Sequence, residues 1–245
     1  MKSAMIIAGG MGTRMAQSGV LVPKAIVPVA GMPMLERNFR QLVRHGFDRI
    51  VVAVSQANMQ VVDFANTHLR ALAAELNVSL ETSIETTPLG NIGPVQAEAE
   101  RGEDLMVVYA DNLTALDLTA VYESHCSSSA AMTLAVHEQP FRMPFGEVQT
   151  DGVRITGYFE KPTHAFLVCS AINMLSPEAI RSIAPGECLG ISNLASRMIE
   201  KGAYVRAFRH QALWIDVNES SDVATAEQMI RENPEAFGEP VTGVA

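Results

Sequence analysis

Residues 3–14 read SAMIIAGGMGTR, a short apolar run that passes directly into a glycine-rich loop. The run from Ser3 to Ala8 predicts a buried strand. Glycines let the backbone approach a ligand closely and turn its N–H groups inward, which favours phosphate binding in the loop that follows. Arg14 ends that loop with a forked cation, and Lys24 places a second cation ten residues later. The stretch therefore predicts a phosphate site after the first strand.

A glycine loop of this length is a weak motif when it is taken alone. A plain strand-to-helix turn flanked by two solvated cations explains the glycines about equally well. The loop is neither GxGxxG nor GxxxxGK[ST], because no Lys-Ser or Lys-Thr pair follows the glycines. A dinucleotide-binding oxidoreductase and a P-loop NTPase are therefore both disfavoured.

Outward from this loop, apolar runs alternate with amphipathic segments. Further strands are predicted at 49–54, 78–84 and 105–110, and helices at 33–46, 59–74 and 88–101. Beyond residue 130 strands predominate, and three helices follow, the last at 223–232. This alternation is typical of a mainly parallel sheet that is covered by helices on both faces. Because 245 residues contain no Pro/Gly/Ser-rich linker, we expect a single domain over residues 1–245.

Composition narrows the possible partners and location. Lys and Arg total 18 against 27 Asp and Glu, a formal net charge of −9, and no basic run offsets it, so no nucleic acid partner is expected. No apolar stretch approaches the roughly 20 residues that span a membrane. We therefore expect no membrane partner and a cytoplasmic protein. The cysteines form no CxxC pair, which predicts small core residues and neither zinc ligands nor disulfides; they are Cys126, Cys169 and Cys188.

Two aspartates follow apolar runs that are predicted to be strands. Asp111 comes directly after 105–110, and Asp216 follows Leu213-Trp214-Ile215. The carboxyl ends of parallel strands are where such sheets bind ligands. Mg²⁺ is held by carboxylate, phosphate and water oxygens, so two aspartates that converge on a triphosphate predict a Mg²⁺ site at Asp111 and Asp216. Each could instead cap the N-terminus of a helix, and Asp216, two residues before Asn218, is an obvious candidate for that alternative.

Several motifs together resemble the sugar-phosphate nucleotidylyltransferases. Residues 8–15, AGGMGTRM, and 23–35, PKAIVPVAGMPML, are similar to that family's GGxGTRL and PKxLxPVxgxPml, with both cations and both later prolines included. YADN at 109–112 and WIDVN at 214–218 resemble its GD and WxDiGt segments. EKP at 160–162 matches its EKP, and TTPLGNIGP at 86–94 resembles its PLGTAG segment. The resemblance covers about residues 4–230 and is strongest at the N-terminus.

The resemblance implies a role for each matching position. The loop would wrap the nucleotide, the arginine and lysine would hold its phosphates during transfer, and the aspartates would hold the metal. The nucleotide-binding residues would be Ala8, Gly9, Gly10, Gly12, Thr13, Arg14, Lys24 and Gly90. The sugar phosphate would contact Asp111, Glu160 and Lys161. The catalytic group would comprise Arg14, Lys24, Asp111 and Asp216.

The implied fold is a three-layer αβα sandwich of the nucleotide-diphospho-sugar transferase type, with a Rossmann-like mixed, mainly parallel sheet. Residues 1 to about 130 would bind the nucleotide. Residues about 131–232 would bind the sugar phosphate and supply the closing helices. The implied reaction joins a nucleoside triphosphate to a sugar 1-phosphate by direct in-line attack at the α-phosphorus, which releases pyrophosphate and needs no nucleophilic side chain.

The substrate identities stay open at this level. The segment Pro88–Gly90 and the short chain favour GTP with mannose or heptose 1-phosphate. Thymidylyl, uridylyl or cytidylyl transfer to another sugar or polyol phosphate is an alternative, and so is a non-catalytic nucleotide-sugar-binding regulatory module. The chain could also form a homodimer. Ala110 and Asn218 stand where the family has glycines, which predicts altered backbone geometry at those points. Asn91-Ile92 departs from the family's PLGTAG segment, which predicts altered contacts with the base or the sugar there.

Overall fold

The computed structural model describes residues 1–10 and 22–239. The strands are β1 Ser3–Ile7, β2 Pro28–Val29, β3 Met32–Pro33, β4 Arg49–Ser55, β5 Ser79–Glu85, β6 Leu105–Tyr109, β7 Asn112–Thr114, β8 Met132–Arg142, β9 Glu147–Asp151, β10 Arg154–Phe159, β11 Thr163–Leu175, β12 Val205–Arg209 and β13 Trp214–Asp216. The α-helices are α1 Met34–Arg44, α2 Met59–Phe64, α3 Arg70–Glu75, α4 Leu118–Cys126, α5 Pro177–Arg181, α6 Ile191–Glu200, α7 Ser220–Glu232 and α8 Pro234–Phe237. A π-helical segment, Ala65–Leu69, joins α2 to α3, and 3₁₀ turns lie at Lys24–Ile26 and Gly93–Glu98.

Seven strands form the central sheet in the order β12-β8-β11-β6-β1-β4-β5. β1 runs parallel to both β4 and β6, β5 runs parallel to β4, and β12 runs parallel to β8. β11 is antiparallel to its neighbours β6 and β8. The sheet is therefore mixed and mainly parallel, as the alternation of strands and helices predicted.

Helices cover both faces of this sheet. On one face, α1, the α2–α3 segment and α4 bury Phe39, Leu69 and Val121 against the strands. On the other face, the Gly93–Glu98 turn, α5 and α6 form a second apolar core. The predicted three-layer αβα sandwich is thus confirmed.

Helix α1 shows how the local sequence sets an element. Proline is favourable just before the first helical residue, and Pro33 occupies that position. Leu35, Phe39 and Leu42 recur at helical spacing and are fully buried. The helix ends before Gly46, whose φ of +77° is the left-handed conformation that glycine adopts without strain. The predicted bounds of 33–46 are close to those observed.

Three expectations about elements and burial are wrong or incomplete. The helix predicted from Pro88 to about Arg101 is only the Gly93–Glu98 turn, because the backbone of this stretch bonds to a distant segment: Leu189 N–H donates to the Leu89 carbonyl at 2.9 Å. Helix α4 was not predicted, although Asp117 caps it by accepting from Ala120 N–H at 3.1 Å. All three cysteines are exposed, so their assignment to the core is wrong.

Strands β8 and β11 pair with each other past the ends of their other neighbours in the sheet. In the sequence they are connected by the antiparallel pair β9 and β10, the β9–β10 ribbon. Most side chains of this extension are exposed, including Ile155 and Tyr158. In the described ranges, no helix combines the length and the apolar character that a membrane crossing requires.

Candidate active site

A pocket of about 690 Å³ opens at the carboxyl ends of the parallel strands. Ile7, Ser55, Glu85 and Tyr109, which line it, are the last residues of β1, β4, β5 and β6. Asp111 lines the pocket two residues after β6, where a ligand site in such a sheet is expected. The fold therefore brings residues from four separate strands to one cavity.

Lys24 is fixed beside this pocket by two polar side chains. Its Nζ donates to Asp111 Oδ2 at 2.7 Å and to Asn218 Oδ1 at 2.9 Å. The lysine side chain is 12% exposed and the aspartate side chain 36%, so the pair is partly screened from water. A lysine held in this way presents one positive charge at a defined point of the cavity wall.

Asp216 is placed next to Asp111 by main-chain pairing. β13 runs antiparallel to β7, with Asp216 opposite Asn112, and Val217 N–H donates to the Asp111 carbonyl at 2.9 Å. Both carboxylates line the pocket. Asp216 does not cap a helix, because the N-cap of α7 is Glu219, so that alternative interpretation is wrong.

Asn218 and Asn91, the departures from the family pattern, have structural partners. Asn218 holds Lys24, and its backbone N–H donates to Asp222 Oδ2 at 2.8 Å. Asn91 Oδ1 accepts from Ile191 N–H at 2.8 Å, at the start of α6, where Gly190 provides no side-chain cap. Asn91 thus satisfies a helix N-terminus 100 residues away in the sequence.

Gly90 and Gly9 allow close contacts around the pocket. A Cβ on Gly90 would lie 2.4 Å from the Leu189 carbonyl oxygen, and the residue has a φ of +77°. A Cβ on Gly9 would lie 2.8 Å from Glu85 Oε1. Because Gly9 has no Cβ, the Glu85 carboxylate can lie close to the backbone just after β1. Burial raises the pKa of Glu85 above its ordinary value.

Three pocket-lining residues with ionisable side chains were not assigned to the site from the sequence motifs: Glu85, Tyr109 and Cys169. Burial raises the pKa of the Tyr109 hydroxyl, and the nearby Cys169 and Asp111 raise it further. Burial likewise raises the pKa of the Cys169 thiol. Glu85 follows the predicted third strand at 78–84, which is the same positional signal that identified Asp111.

The structure brings most of the predicted site residues together. Gly9, Gly10, Gly90, Asp111 and Asp216 line the pocket, and Lys24 binds two lining residues. Ala8 is buried beside them, with its N–H bonded to the Ala53 carbonyl.

Two of the predicted residues that the structure describes lie apart from this cavity. Glu160 and Lys161 are exposed at the turn between β10 and β11, outside the pocket lining, and Lys161 has a φ of +45°. Gly12, Thr13 and Arg14 lie outside the described residues.

The profile of the family described as nucleotidyl transferase matches residues 3–233. The chain belongs to the nucleotidyl transferase family. This match confirms the family that the motifs suggested.

Individual relatives in the nucleotidyl transferase family differ in the substrates that their names carry. The chain is 28% identical over 230 residues to a Sulfolobus acidocaldarius protein named for mannose-1-phosphate guanyltransferase activity, covering 91% of this chain and 61% of that protein. It is 24% identical to the D-glycero-alpha-D-manno-heptose 1-phosphate guanylyltransferase of Aneurinibacillus thermoaerophilus, covering 93% of this chain and 98% of the relative. The chain thus spans about three fifths of the first of these relatives and nearly all of the second.

A solved structure supports the fold independently. A Bacillus anthracis protein named for glucose-1-phosphate thymidylyltransferase activity superposes with a TM-score of 0.74 at 17% identity, over 98% of this chain and 100% of that one. At this identity the similarity concerns the architecture alone.

Proposed function

We propose that this protein is a sugar-1-phosphate nucleotidyltransferase, which joins a nucleoside triphosphate to a sugar 1-phosphate and releases pyrophosphate. The observation that carries the proposal is the arrangement around the pocket. Lys24 binds Asp111 beside a cavity that Asp111 and Asp216 both line, at the carboxyl ends of the strands. A cation next to paired carboxylates suits a reaction between two phosphate-bearing substrates.

Mg²⁺ is the cofactor that this set of donors fits. Three carboxylates line the described part of the pocket, and Lys24 lies behind them. In the same described part of the chain, no group of three or more His, Cys, Asp or Glu residues is arranged to hold a metal ion. Two aspartates with substrate phosphate and water oxygens match the way proteins usually bind Mg²⁺. Asp111 and Asp216 would hold the ion, which would neutralise charge on the phosphates.

The protein's own groups would act by position and charge. The sugar phosphate carries an ionised oxygen, so direct attack on the α-phosphorus requires no side-chain nucleophile. Lys24, with Arg14, would offset the negative charge of the departing pyrophosphate. Lys161 would hold the incoming phosphate, and Glu160 would contact sugar hydroxyls.

GTP is the nucleotide that the pocket favours. The Glu85 carboxylate, against Gly9, can accept hydrogen bonds from the ring N–H and the amino group of guanine. Uracil and thymine offer one such ring N–H and present carbonyl oxygens, which a carboxylate repels. Two relatives named for guanylyl transfer, to mannose and to heptose 1-phosphate, support the same choice of base and sugar. Thymidylyl, uridylyl and cytidylyl transfer are the alternatives in the test.

One screen tests these assignments. The purified protein is incubated with each of four nucleoside triphosphates and a panel of sugar 1-phosphates, and pyrophosphate release is followed with Mg²⁺ present. We expect the largest kcat/KM for GTP with mannose or heptose 1-phosphate. No pyrophosphate from any pair would favour the non-catalytic binding module. A preference for another base in wild type, unchanged in Glu85→Gln, would remove the role assigned to Glu85.

Direct transfer has its own test. Protein incubated with GTP radiolabelled at the α-phosphate, without acceptor, should carry no label after denaturation. A stable nucleotidyl-protein adduct would contradict in-line attack by the sugar phosphate.

Two further proposals concern the state of the protein in the cell. Cytoplasmic localisation is tested by cell fractionation. A homodimer is tested by sedimentation of the purified protein. The exposed apolar side chains of the β9–β10 ribbon are the surface to substitute if a dimer is found.

A further inference from the structure

A chain of hydrogen bonds runs behind the wall of the pocket that Cys169 and Ala171 line. The fully buried Ser170 places its Oγ 2.8 Å from His137 Nδ1 and 2.7 Å from His210 Nε2. At one end, His137 Nε2 lies 3.3 Å from Gln139 Oε1. At the other end, Ala212 N–H donates to His210 Nδ1 at 3.2 Å.

The partners at the two ends assign every proton in this chain. A backbone N–H can only donate, so His210 Nδ1 is unprotonated and Nε2–H donates to Ser170 Oγ. The single serine proton then donates to His137 Nδ1, which leaves the proton of His137 on Nε2, where it donates to Gln139 Oε1. With both imidazoles neutral, each of these protons has an acceptor within the hydrogen-bond chain.

An additional proton has no place in this arrangement. On His210 it would put an N–H against the N–H of Ala212. On His137 it would give Ser170 Oγ a second donor and leave the serine proton without its acceptor. Either event leaves at least one proton of the hydrogen-bond chain without an acceptor.

Ser170 connects this chain to two walls of the pocket. Its neighbours Cys169 and Ala171 both line the cavity, where the pairing of β11 with β8 slips between Cys169 and Asn173. Ala171 has a φ of +57°, so this bulge needs support from its surroundings. The Ser170 carbonyl accepts the indole N–H of Trp214 at 2.8 Å, and Trp214 begins the strand β13 that ends at Asp216.

We propose that His137, Ser170 and His210 are positioning residues: their neutral chain holds the bulge at Ala171 against the strand that carries Asp216, and acid opens it. The inference rests on the proposed function for its effect on catalysis. The existence of the chain and its response to pH do not depend on that function.

Besides the two histidines, several titratable or charged side chains lie near the hydrogen-bond chain. Burial, and then the nearby His137, lower the pKa of His210. The Cys169 thiol has a pKa raised by burial and stays neutral. Glu138 and Arg209 form a mutual pair at 3.9 Å, with both side chains about 70% exposed, so water screens them. Asp216 lies at the far end of β13 from Trp214.

Trp214 makes the chain observable without an activity assay. It is the only tryptophan of the protein, and its ring centroid lies 4.6 Å from that of His137. An imidazolium beside an indole quenches its fluorescence, whereas a neutral imidazole does so much less. We expect emission to fall on acidification, because protonation places an imidazolium beside the indole.

Three variants locate the effect. His137→Gln keeps a polar side chain but cannot titrate, and its emission should stay flat with pH. Ser170→Ala removes the hydroxyl that bonds both rings and should change the pH at which emission falls; circular dichroism checks that it folds. His68→Gln changes an exposed histidine stacked on Phe64 and should titrate as the wild type does. The proposed hydrogen-bond chain would be contradicted if Ser170→Ala kept the wild-type midpoint, or if emission from His137→Gln changed with pH.

The catalytic consequence is read from KM. Between pH 7.5 and 5.5 we expect KM for the sugar 1-phosphate to rise about tenfold more in the wild type than in His137→Gln, with KM for the nucleotide little different, because misplacement of a wall costs substrate orientation. The variant is the necessary reference, since a phosphate monoester itself takes up a proton near pH 6. Equal profiles in the two proteins would overturn the positioning role even if the fluorescence transition is found. If the protein has no nucleotidyltransferase activity, no product will form at any pH while the fluorescence transition remains. That result would also contradict the positioning role.

Discussion

The central sheet has a group of charged side chains at each end of its strands. Among the described residues, the two groups differ in the ratio of cations to carboxylates. At the amino end of β4, Arg49 donates to Glu81 at 2.8 Å and to Glu98 at 2.7 Å, and is only 2% exposed. Arg101 also pairs with both glutamates, so two cations meet two carboxylates. At the carboxyl ends, three carboxylates line the described part of the pocket and Lys24 binds one of them.

This difference separates a structural network from a functional one. The Arg49 network is balanced in charge and complete without a ligand, so its role is to join strands and the Gly93–Glu98 turn. In the described part of the pocket, three carboxylates line open space and Lys24 pairs with one of them; we propose that Mg²⁺ binds there. Carboxylates gathered at a cavity are typical of sites that bind a ligand.

Removing Arg49 should give the largest effect on stability. Arg49→Ala leaves the buried Glu98 without its main partner, which should lower the free energy of unfolding by about 3–5 kcal/mol. Urea denaturation measures the loss. Arg101→Ala, at 41% exposure in the same network, is the control and should cost about 1 kcal/mol or less. Equal losses in the two variants would mean that the network is not organised around Arg49.

Removing either pocket aspartate should affect turnover and spare folding. We expect Asp111→Ala and Asp216→Ala each to lower kcat by about 10²-fold or more, because each would remove a Mg²⁺ ligand. Asp151→Ala, on the exposed β9 strand, should keep wild-type kcat. Activity that persists in EDTA would exclude the metal role, whatever the variants do.

Lys161 tests whether the site extends beyond the pocket lining. If its ammonium holds the sugar phosphate, Lys161→Ala removes a charge-assisted contact of about 1.5–3 kcal/mol, roughly 10- to 150-fold in kcat/KM for that substrate. Nucleotide binding, measured by titration, should hardly change. Lys24→Ala should do the opposite and weaken the nucleotide side. Sugar-phosphate kinetics within about twofold of wild type would identify Lys161 as a solvated surface cation.

Asn91 lies on the pocket lining but acts on structure. Asn91→Ala removes the acceptor for Ile191 N–H at the start of α6, and loss of such a cap costs about 0.5–2 kcal/mol. Thermal or urea unfolding measures it, with Asn193→Ala, in the first turn of the same helix, as the matched control. A change in nucleotide affinity without a change in stability would place Asn91 with the functional network.

The weakest effect should appear in the pH dependence of stability. Burial lowers the pKa of His45, His125 and His210, so below about pH 6.5 the unfolded chain binds more protons than the folded one. The free energy of unfolding should therefore fall from pH 7.5 to 5.5. Glu85, whose pKa is raised, acts in the opposite direction, so Glu85→Gln should steepen the fall. Urea midpoints at constant m-value decide the sign.

Sequence reasoning found the elements that carry strong local signals. β1, β4 and β6 are nearly continuous apolar runs between turns, and both pocket aspartates stand directly beyond such runs or at the end of one. Helix α4 lacks a strong sequence signal because few of its residues face the core; its buried residues are Leu118, Val121 and His125. The stretch after Pro88 was assigned to a helix because its apolar residues pack into a core, while its backbone bonds depend on residues far away.

The charged contacts of the site could not be predicted for the same reason. Nothing local to Lys24 indicates that Asn218 will accept its second hydrogen bond, since 194 residues separate them. Glu85 carried the positional signal of a strand end but no motif. The family pattern supplied the residue types at the site, and only the fold showed which of them meet.

The contact between the loop at Leu89–Ile92 and the segment at Leu189–Ile191 has a consequence for synthesis of the protein. Leu89, Asn91 and Ile92 bond to residues about 100 positions further along the chain. At about 5–20 residues per second, a ribosome needs roughly 5 to 20 s to make that interval. Throughout this time the N-terminal part of the nascent chain lacks the segment that supports one wall of the pocket, and β13, which carries Asp216, emerges later still. A growing chain can therefore complete the pocket only after residue 216 has been made, and a ribosome that stalls before residue 189 leaves a fragment whose loop has no partner.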